Sequence, residues 1–302
     1  MEIKIYEYEV ETMKLSELMN KRIPTLSFEV FPPKTTDGYE SVEKATEEIA
    51  KLNPDFMSVT YGAGGSTSDF TVSIASNIQN NMGVNTLAHL TCVKADKKTI
   101  FDTLDTLKAN NIENILALRG DIPEGFDRDS MDYKYASEMI ADIKKYSDFC
   151  IGGACYPEGH LESANMEEDI AHLKMKVEAG CEFLTTQMFF DNNILYSYLY
   201  KIRERGITVP IVAGIMPVTN AKQIVRSCKL SGTYLPQRFK AIVDRFGDNP
   251  KAMKEAGIAY ATDQIIDLLA NGVNNIHVYS MNRPEVAAAI QNNLKEIISY
   301  QR

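Results

Sequence analysis

The sequence predicts an α/β protein built as one (βα)8 barrel of the TIM type, with extra helices before the last strand and a short N-terminal extension. Strand-like and helix-like segments alternate through nearly the whole chain, which is the pattern of a parallel α/β fold. Eight strand-like segments can be counted along the sequence. The 302 residues also exceed, by a modest margin, the roughly 250 that such a barrel usually needs.

The eight predicted strands are separated by segments with the spacing of amphipathic helices. Val42, Ala45, Ile49 and Leu52 recur at helical intervals after the first strand, and Met166, Ile170, Leu173 and Val177 do so after the fifth. The predicted strands cover residues 25–31, 56–62, 85–92, 114–121, 150–157, 182–190, 209–217 and 274–281.

The remaining residues fit around one domain. Residues 1–20 are interpreted as an N-terminal extension and residues 21–302 as a single domain, with two helices expected in residues 236–271. The alternative for this pattern is an open, doubly wound sheet, but no GxGxxG follows the first strand. The barrel is therefore favoured, and its active site is expected at the carboxyl ends of the strands.

Composition narrows the class of protein. No apolar run approaches the roughly 20 residues that span a bilayer, and the opening residues do not resemble a signal peptide, so a soluble cytoplasmic protein is expected. Five cysteines form no CxxC pair, which argues against a disulfide framework. The net charge of −9, without a basic run, argues against binding to nucleic acid.

The first strand carries a candidate acid. Glu29 lies among apolar and aromatic residues in LSFEVFPP, on the strand face that it shares with Ser27 and Phe31. Burial beside aromatic rings would raise the pKa of Glu29 and keep a proton available near neutral pH. The alternative is a structural carboxylate paired with Arg or Lys.

Polar residues collect at the other predicted strand ends. Turns alone do not account for such a density, so a binding site is predicted there. These residues are Thr60, Tyr61, His89, Arg119, Gly120, Asp121, Tyr156, His160, Gln187 and Arg283. For the tripeptide Arg119-Gly120-Asp121, the alternative to a ligand site is an ion pair between Arg119 and Asp121.

Two other patterns remain open. Asp169, His172 and Lys176 share one helical face, which is either solvated or in reach of a ligand at the barrel mouth. His277, with the other strand-end histidines, suggests a metal site only weakly, because neither HxH nor HExxH occurs. A metal-dependent barrel lyase is kept as the alternative from another class of enzyme.

Taken together, the strand-end motifs resemble those of the methylenetetrahydrofolate reductase family, in consistent order from about residue 21 to the C-terminus. The motifs that carry the resemblance are SFEVFPP at 27–33, VTYGA at 59–63, AHLTC at 88–92, LRGD at 118–121, YPEGH at 156–160, TQMFFD at 186–191, GIMPV at 214–218 and MNR at 281–283.

The resemblance implies a barrel that holds FAD noncovalently and converts 5,10-methylenetetrahydrofolate to 5-methyltetrahydrofolate. It implies that Glu29 is the general acid that helps to open the five-membered ring of the folate. It also implies that Asp121 stabilises the cationic iminium and tunes the flavin.

The implied cofactor contacts are Thr60, Tyr61, Ala63, His89, Arg119, Gly120, Asp121, Ala136, Tyr156, His160, Asp169, His172 and Lys176, and Thr60 and Gln187 are also expected to meet a nicotinamide donor. The implied folate contacts are Gln187, Gln223 and Arg283, of which the arginine suits the glutamate carboxylates of the folate.

The chain departs from the family pattern at three positions. His172 stands where many relatives have Asn, and Met175 stands where others have Arg, so one phosphate-directed cation is missing unless a residue such as Lys174 compensates. Ser227 replaces a frequent Phe that stacks on the ligand, which puts direct NADH use in doubt. The electron donor is therefore either NADH or NADPH or a partner protein, and the family also allows an assembly of identical subunits.

Overall fold

The fold is an eight-stranded parallel barrel, as predicted. The computed structural model describes residues 12–33, 35–61 and 67–301, and of residues 67–69 and 301 it describes the backbone alone. The strands follow one another in chain order around the sheet, and β8 closes it by pairing with β1. The strands are β1 Thr25–Val30, β2 Phe56–Val59, β3 Thr86–Thr91, β4 Asn114–Leu118, β5 Cys150–Cys155, β6 Phe183–Thr186, β7 Ile211–Ile215 and β8 Asn275–Val278.

Each strand ends before the boundary that the sequence predicts for it. After β4 the backbone turns at Gly120, whose φ of +85° lies outside the strand region, and after β8 Met281 and Asn282 are also left-handed. After β6 the apolar residues Phe189 and Phe190 are buried in a loop. The loop carbonyls there accept hydrogen bonds from side chains of a later helix, so burial at this place does not require a sheet partner.

The helices surround the barrel and confirm the predicted amphipathic segments after the first and fifth strands. The two helices expected in residues 236–271 are α9 and α10. The helices are α1 Leu15–Asn20, α2 Tyr39–Ala50, α3 Thr67–Ser76, α4 Lys97–Ala109, α5 Ala136–Tyr146, α6 Met166–Glu178, α7 Asn192–Glu204, α8 Ala221–Ser231, α9 Gln237–Phe246, α10 Pro250–Ala270 and α11 Pro284–Gln301. In the part of the chain that the structure describes, no helix combines the length and apolar character needed to cross a membrane.

The short helix α1 covers the amino-terminal end of the barrel. Leu15, Leu18 and Met19 are buried against apolar side chains from the strands, among them Phe56 and Phe183. The backbone is fixed as well, because Leu15 N–H donates to Asn114 Oδ1 at 2.8 Å. The helix thus closes the end of the barrel opposite to the predicted site.

Replacing Leu15 with Ala is expected to lower the free energy of unfolding by about 2–4 kcal/mol, because it leaves a cavity under a fully buried side chain. Urea unfolding followed by circular dichroism measures the change. Replacing the exposed Glu17 on the same helix is the control and is expected to have little effect. Equal small losses in both variants would show that the helix does not contribute to the barrel core.

Candidate active site

A cavity of about 280 Å³ opens inside the carboxyl end of the barrel. Four of the predicted site residues line it: Glu29, His89, Tyr156 and Gln187. They come from four different strands or strand ends, and the closure of the sheet brings them together. Its other lining residues are Leu87, Leu116, Leu118, Ala154, Thr185, Thr186, Met216, His277 and Tyr279.

Glu29 lies in this cavity among neutral and basic groups. Ser58 Oγ donates to Glu29 Oε2 at 3.3 Å. His89 Nε2 and His277 Nε2 lie 3.5 and 3.7 Å from the same oxygen. No lysine or arginine pairs with this carboxylate among the described residues, so the structural alternative raised by the sequence does not hold for the part of the chain described.

The expectation that Glu29 has a raised pKa is wrong. Burial raises the pKa and is the largest single influence, but the neighbouring His277, the neighbouring His89 and the Ser58 hydroxyl together lower it below its ordinary value. His89 contributes little to this at neutral pH, because burial lowers its own pKa to about 4 and leaves it uncharged. His277 and Ser58 are therefore the groups that favour the ionised carboxylate.

A chain of hydrogen bonds leads from Glu29 into the barrel wall. Ser58 Oγ is 3.0 Å from His277 Nε2, and His277 Nδ1 is 2.7 Å from Ser27 Oγ, which donates to the Ile276 carbonyl. Since Ser27 uses its proton on that carbonyl, Nδ1 of His277 is the donor to Ser27. The Ser58 hydroxyl then has one proton to share between His277 and Glu29, so the position of that proton is coupled to the charge on the acid.

A larger groove of about 730 Å³ adjoins the cavity, and the two share Leu118, Ala154 and Tyr156. Its volume lies within the range of about 300–1,000 Å³ that is usual for ligand sites. Ten of the residues predicted to bind the cofactor line it: Tyr61, Arg119, Gly120, Asp121, Ala136, Tyr156, His160, Asp169, His172 and Lys176.

Other predicted contacts lie elsewhere. Thr60 follows β2, its N–H donates to the Val30 carbonyl at the end of β1, and it lines neither space. Ala63 lies outside the described residues. His89 lies in the cavity rather than in the groove.

Lys176 gives the groove a buried positive charge. Its Nζ donates to the Ala154 carbonyl at 2.6 Å, and burial lowers the pKa of this lysine. Asp169 lines the same groove, and burial raises the pKa of its carboxyl. This helical face, which the sequence left open between solvent and ligand, therefore points into the groove.

The backbone at Gly120 forms part of the groove floor. A Cβ at this position would lie 2.9 Å from Val93 Cγ1, and the φ of +85° adds strain for any other residue. The glycine therefore lets the backbone turn between Arg119 and Asp121 next to a ligand.

Arg119 pairs with Glu162 and not with Asp121. Its Nη1 and Nη2 donate to the two carboxylate oxygens at 2.9 and 2.6 Å, and Arg128 Nη2 donates to Glu162 Oε2 at 3.1 Å. These bonds hold the pKa of Glu162 at about 2. Sequence reasoning missed Glu162 and Arg128, since they lie in loops far apart in the chain and no local pattern marks them.

The residues predicted to bind folate surround the mouth of the barrel. Gln187 lines the cavity, whereas Gln223 is exposed on α8 and Arg283 precedes α11, where its Nη1 donates to Thr219 Oγ1. Helix α8 carries Ser227, half-buried, without an aromatic ring.

Helix α8 crosses part of the barrel mouth. It begins after β7, and just beyond its end Thr233 Oγ1 donates to the Met188 carbonyl, which follows β6. Tyr234 N–H donates to Glu158 in the loop after β5. The segment from the end of β7 to Tyr234 therefore contacts the loops after β5 and β6. Within the described ranges, no group of three histidine, cysteine or acidic side chains is arranged to hold a metal ion.

Comparison with known proteins gives consistent matches. The family model described as methylenetetrahydrofolate reductase matches residues 14–295. Methylenetetrahydrofolate reductase (NADH) 1 of Arabidopsis thaliana is 37% identical over an alignment of 295 residues that covers 93% of this chain and 50% of the relative. The 5,10-methylenetetrahydrofolate reductase of Escherichia coli K12 is 36% identical over 269 residues, 88% of each chain.

The chain thus spans about half the length of the plant relatives that it matches, and most of the bacterial one. A solved structure shares the fold with a TM-score of 0.64 and 18% identity, covering 95% of this chain and 100% of the other. That protein, from Clostridium thermocellum, is described as uncharacterized and as binding two copies of 5-methyl-5,6,7,8-tetrahydrofolic acid.

Proposed function

Because the chain belongs to the methylenetetrahydrofolate reductase family, we propose that it reduces 5,10-methylenetetrahydrofolate to 5-methyltetrahydrofolate with bound FAD. The observation that carries the proposal is the junction of the two spaces. Glu29 lies in a cavity that shares Leu118, Ala154 and Tyr156 with a groove large enough for a dinucleotide. A proton donor and a cofactor would therefore meet at one place.

The groove fits FAD in its charges as well as in its size. Lys176 is a buried cation that donates to one carbonyl among the described residues, which suits a diphosphate, and Gly120 allows a flat ring to approach the backbone. Tyr156 would border the ring where groove and cavity meet. When bound and reduced by the electron donor, FAD would supply the hydride that reduces the folate carbon.

Glu29 would provide the proton for opening the five-membered ring of the folate. A flat substrate over the cavity excludes water, which strengthens the desolvation that already acts on Glu29 and raises its pKa. In the protonated form that this raised pKa favours, Glu29 would donate its proton to the departing ring nitrogen and be left as the carboxylate, to which the Ser58 hydroxyl donates. Asp121, which lines the groove near the junction, would stabilise the positive charge on the resulting iminium.

The Ser58 hydroxyl makes the pH dependence testable. Folate reduction requires protonated Glu29, so its rate falls as pH rises through the pKa that Glu29 has in the complex. Replacing Ser58 with Ala removes a donor that lowers this pKa, and the descending limb is expected to move to higher pH. Stopped-flow oxidation of reduced flavin by folate measures the limb.

The control for that shift is Ser73→Ala, which removes an exposed hydroxyl bonded to Tyr39 on the outside of the barrel. Its pH profile is expected to match that of the wild type. A limb that stays in place in Ser58→Ala, or moves to lower pH, would contradict the assigned proton donor.

The first test of the function is spectroscopic. The purified protein is expected to show a flavin spectrum that NADH bleaches without oxygen and that 5,10-methylenetetrahydrofolate restores. A colourless protein that does not take up FAD would overturn the proposal. A reduced flavin that folate fails to reoxidise would do so too.

The same experiment identifies the class of electron donor. The Arabidopsis relative is named for NADH, whereas Ser227 gives this chain no aromatic ring on α8 at that position. If the flavin ignores NADH and NADPH but is reoxidised by folate after chemical reduction, a protein donor is indicated. The chemistry at the folate would then be the same.

A further inference from the structure

Helix α6 and the loop between β4 and α5 both line the cofactor groove. Helix α6 contributes Lys176, Met175 and the acidic residues Glu168 and Asp169, and the loop contributes Arg128. Met175 is 57% exposed and lines the groove with an uncharged thioether. A dinucleotide diphosphate has two negative charges, so one cation on α6 leaves it incompletely balanced.

Lys174 does not supply the missing positive charge. It lies next to Met175 in sequence but does not line the groove, and its Nζ is 3.9 Å from Glu178 Oε1. The compensation that the sequence suggested for this residue is therefore not supported by its position.

Arg119 has little capacity left for an added anion. Its Nη1 and Nη2 bind both oxygens of Glu162, and its Nε donates to the Gly120 carbonyl at 3.3 Å. All three guanidinium nitrogens thus have protein partners.

Arg128 has donors to spare. Among the described residues its hydrogen bond is the one that Nη2 donates to Glu162, and its side chain is 60% exposed and lines the groove. Glu162 carries one negative charge against two guanidinium groups, so the cluster keeps a net positive charge. The carboxylate also links the loop after β4 to the loop after β5 and so fixes the direction of Arg128.

We propose that Arg128, held in place by Glu162, binds the diphosphate of the dinucleotide and supplies the positive charge that position 175 lacks. This inference rests on the proposed function, because it assumes FAD in the groove. It assigns the cation to the loop between β4 and α5 rather than to α6.

Titration of the apoprotein with FAD and with riboflavin, which has no diphosphate, tests the proposal without measuring turnover. Arg128→Gln is expected to raise the dissociation constant for FAD about 10-fold and to leave that for riboflavin unchanged. It is also expected to weaken the dependence of FAD affinity on salt.

The matched control is Lys134→Gln. Lys134 lies in the same loop and is half-exposed, but it pairs with Asp129 at 2.7 Å and does not line the groove. The Lys134→Gln variant loses the same charge as Arg128→Gln, and its affinity for FAD is expected to stay within 2-fold of that of the wild type.

A second variant keeps the test independent of any folding defect. Met175→Arg is expected to tighten FAD binding in the wild type and to restore it in Arg128→Gln. Three results would overturn the proposal and leave the proposed function standing. Arg128→Gln and Lys134→Gln could lose FAD affinity equally, or Arg128→Gln could lose riboflavin affinity as much as FAD affinity. The third is a loss of FAD affinity confined to Lys94→Gln, which removes another cation that lines the groove. A wild-type protein that binds no flavin would overturn both.

Discussion

Replacing Glu29 with Gln is expected to leave FAD bound and reducible and to slow folate reduction by about 10²–10⁴-fold, the usual contribution of a general acid. The amide keeps the size of the side chain and accepts the hydrogen bond from Ser58, but it has no proton to give to the ring nitrogen. Stopped-flow absorbance separates the two half-reactions. Reduction of the flavin serves as the internal control, since it requires no proton from this residue.

Glu182→Gln provides a matched control for Glu29→Gln. Glu182 is also a partly buried carboxylate, but it lies at the amino-terminal end of the barrel, where it binds Lys144 and Ser16. This variant is expected to lose stability and to keep both half-reactions. Unchanged folate reduction in Glu29→Gln would remove Glu29 from the acid role, and an equal loss of both half-reactions would indicate damage to the flavin site.

The barrel could be predicted because its signals are local. Alternation of apolar strands with amphipathic helices is visible in the sequence, and eight such units are the number that closes a parallel sheet into this barrel. The strand ends were less predictable, since the conformation of Gly120 and the buried loop at Phe189 depend on contacts made elsewhere. The bounds of helix α8 were not predicted, because it carries only one buried apolar residue, Ile224.

Much of the candidate site could also be predicted, because parallel strands bring their carboxyl ends together. Glu29, His89 and Gln187 come from different strands and yet line one cavity. The charge on Glu29 could not be predicted in the same way. The direction of its pKa shift depends on whether burial or the neighbours of the carboxylate dominate. Those neighbours, Ser58 and His277, are near Glu29 only in the folded barrel.

The ion pairs of Arg119, Glu162 and Arg128 in the groove could not be predicted from the sequence either. The sequence offered Asp121 as the partner of Arg119 because the two are close in the chain. In the structure the partner is 43 residues away, and it binds both terminal nitrogens of the arginine. Long-range ion pairs of this kind have no sequence pattern, so the charge available to a ligand can be counted only from the fold.

Replacing Lys176 with Met is expected to weaken FAD binding by about 10- to 100-fold and, in the apoprotein, to keep or raise the free energy of unfolding. The ammonium is buried and binds the Ala154 carbonyl, and among the described residues no carboxylate lies within ion-pair distance of it. A buried charge of this kind costs stability until an anion arrives. Methionine has a similar length and removes both the cost and the anchor.

The two effects of Lys176→Met have opposite signs, which distinguishes a binding lysine from a structural one. Lys144 is the control, because its Nζ pairs with Glu182 at 2.5 Å: Lys144→Met is expected to lower stability and to leave FAD binding unchanged. Because burial lowers the pKa of Lys176, its cost to the apoprotein is full at low pH and declines as the pH rises toward the ordinary lysine pKa. The stability gain in Lys176→Met should decline over the same range, and a loss of stability with unchanged FAD affinity would assign this lysine to the fold.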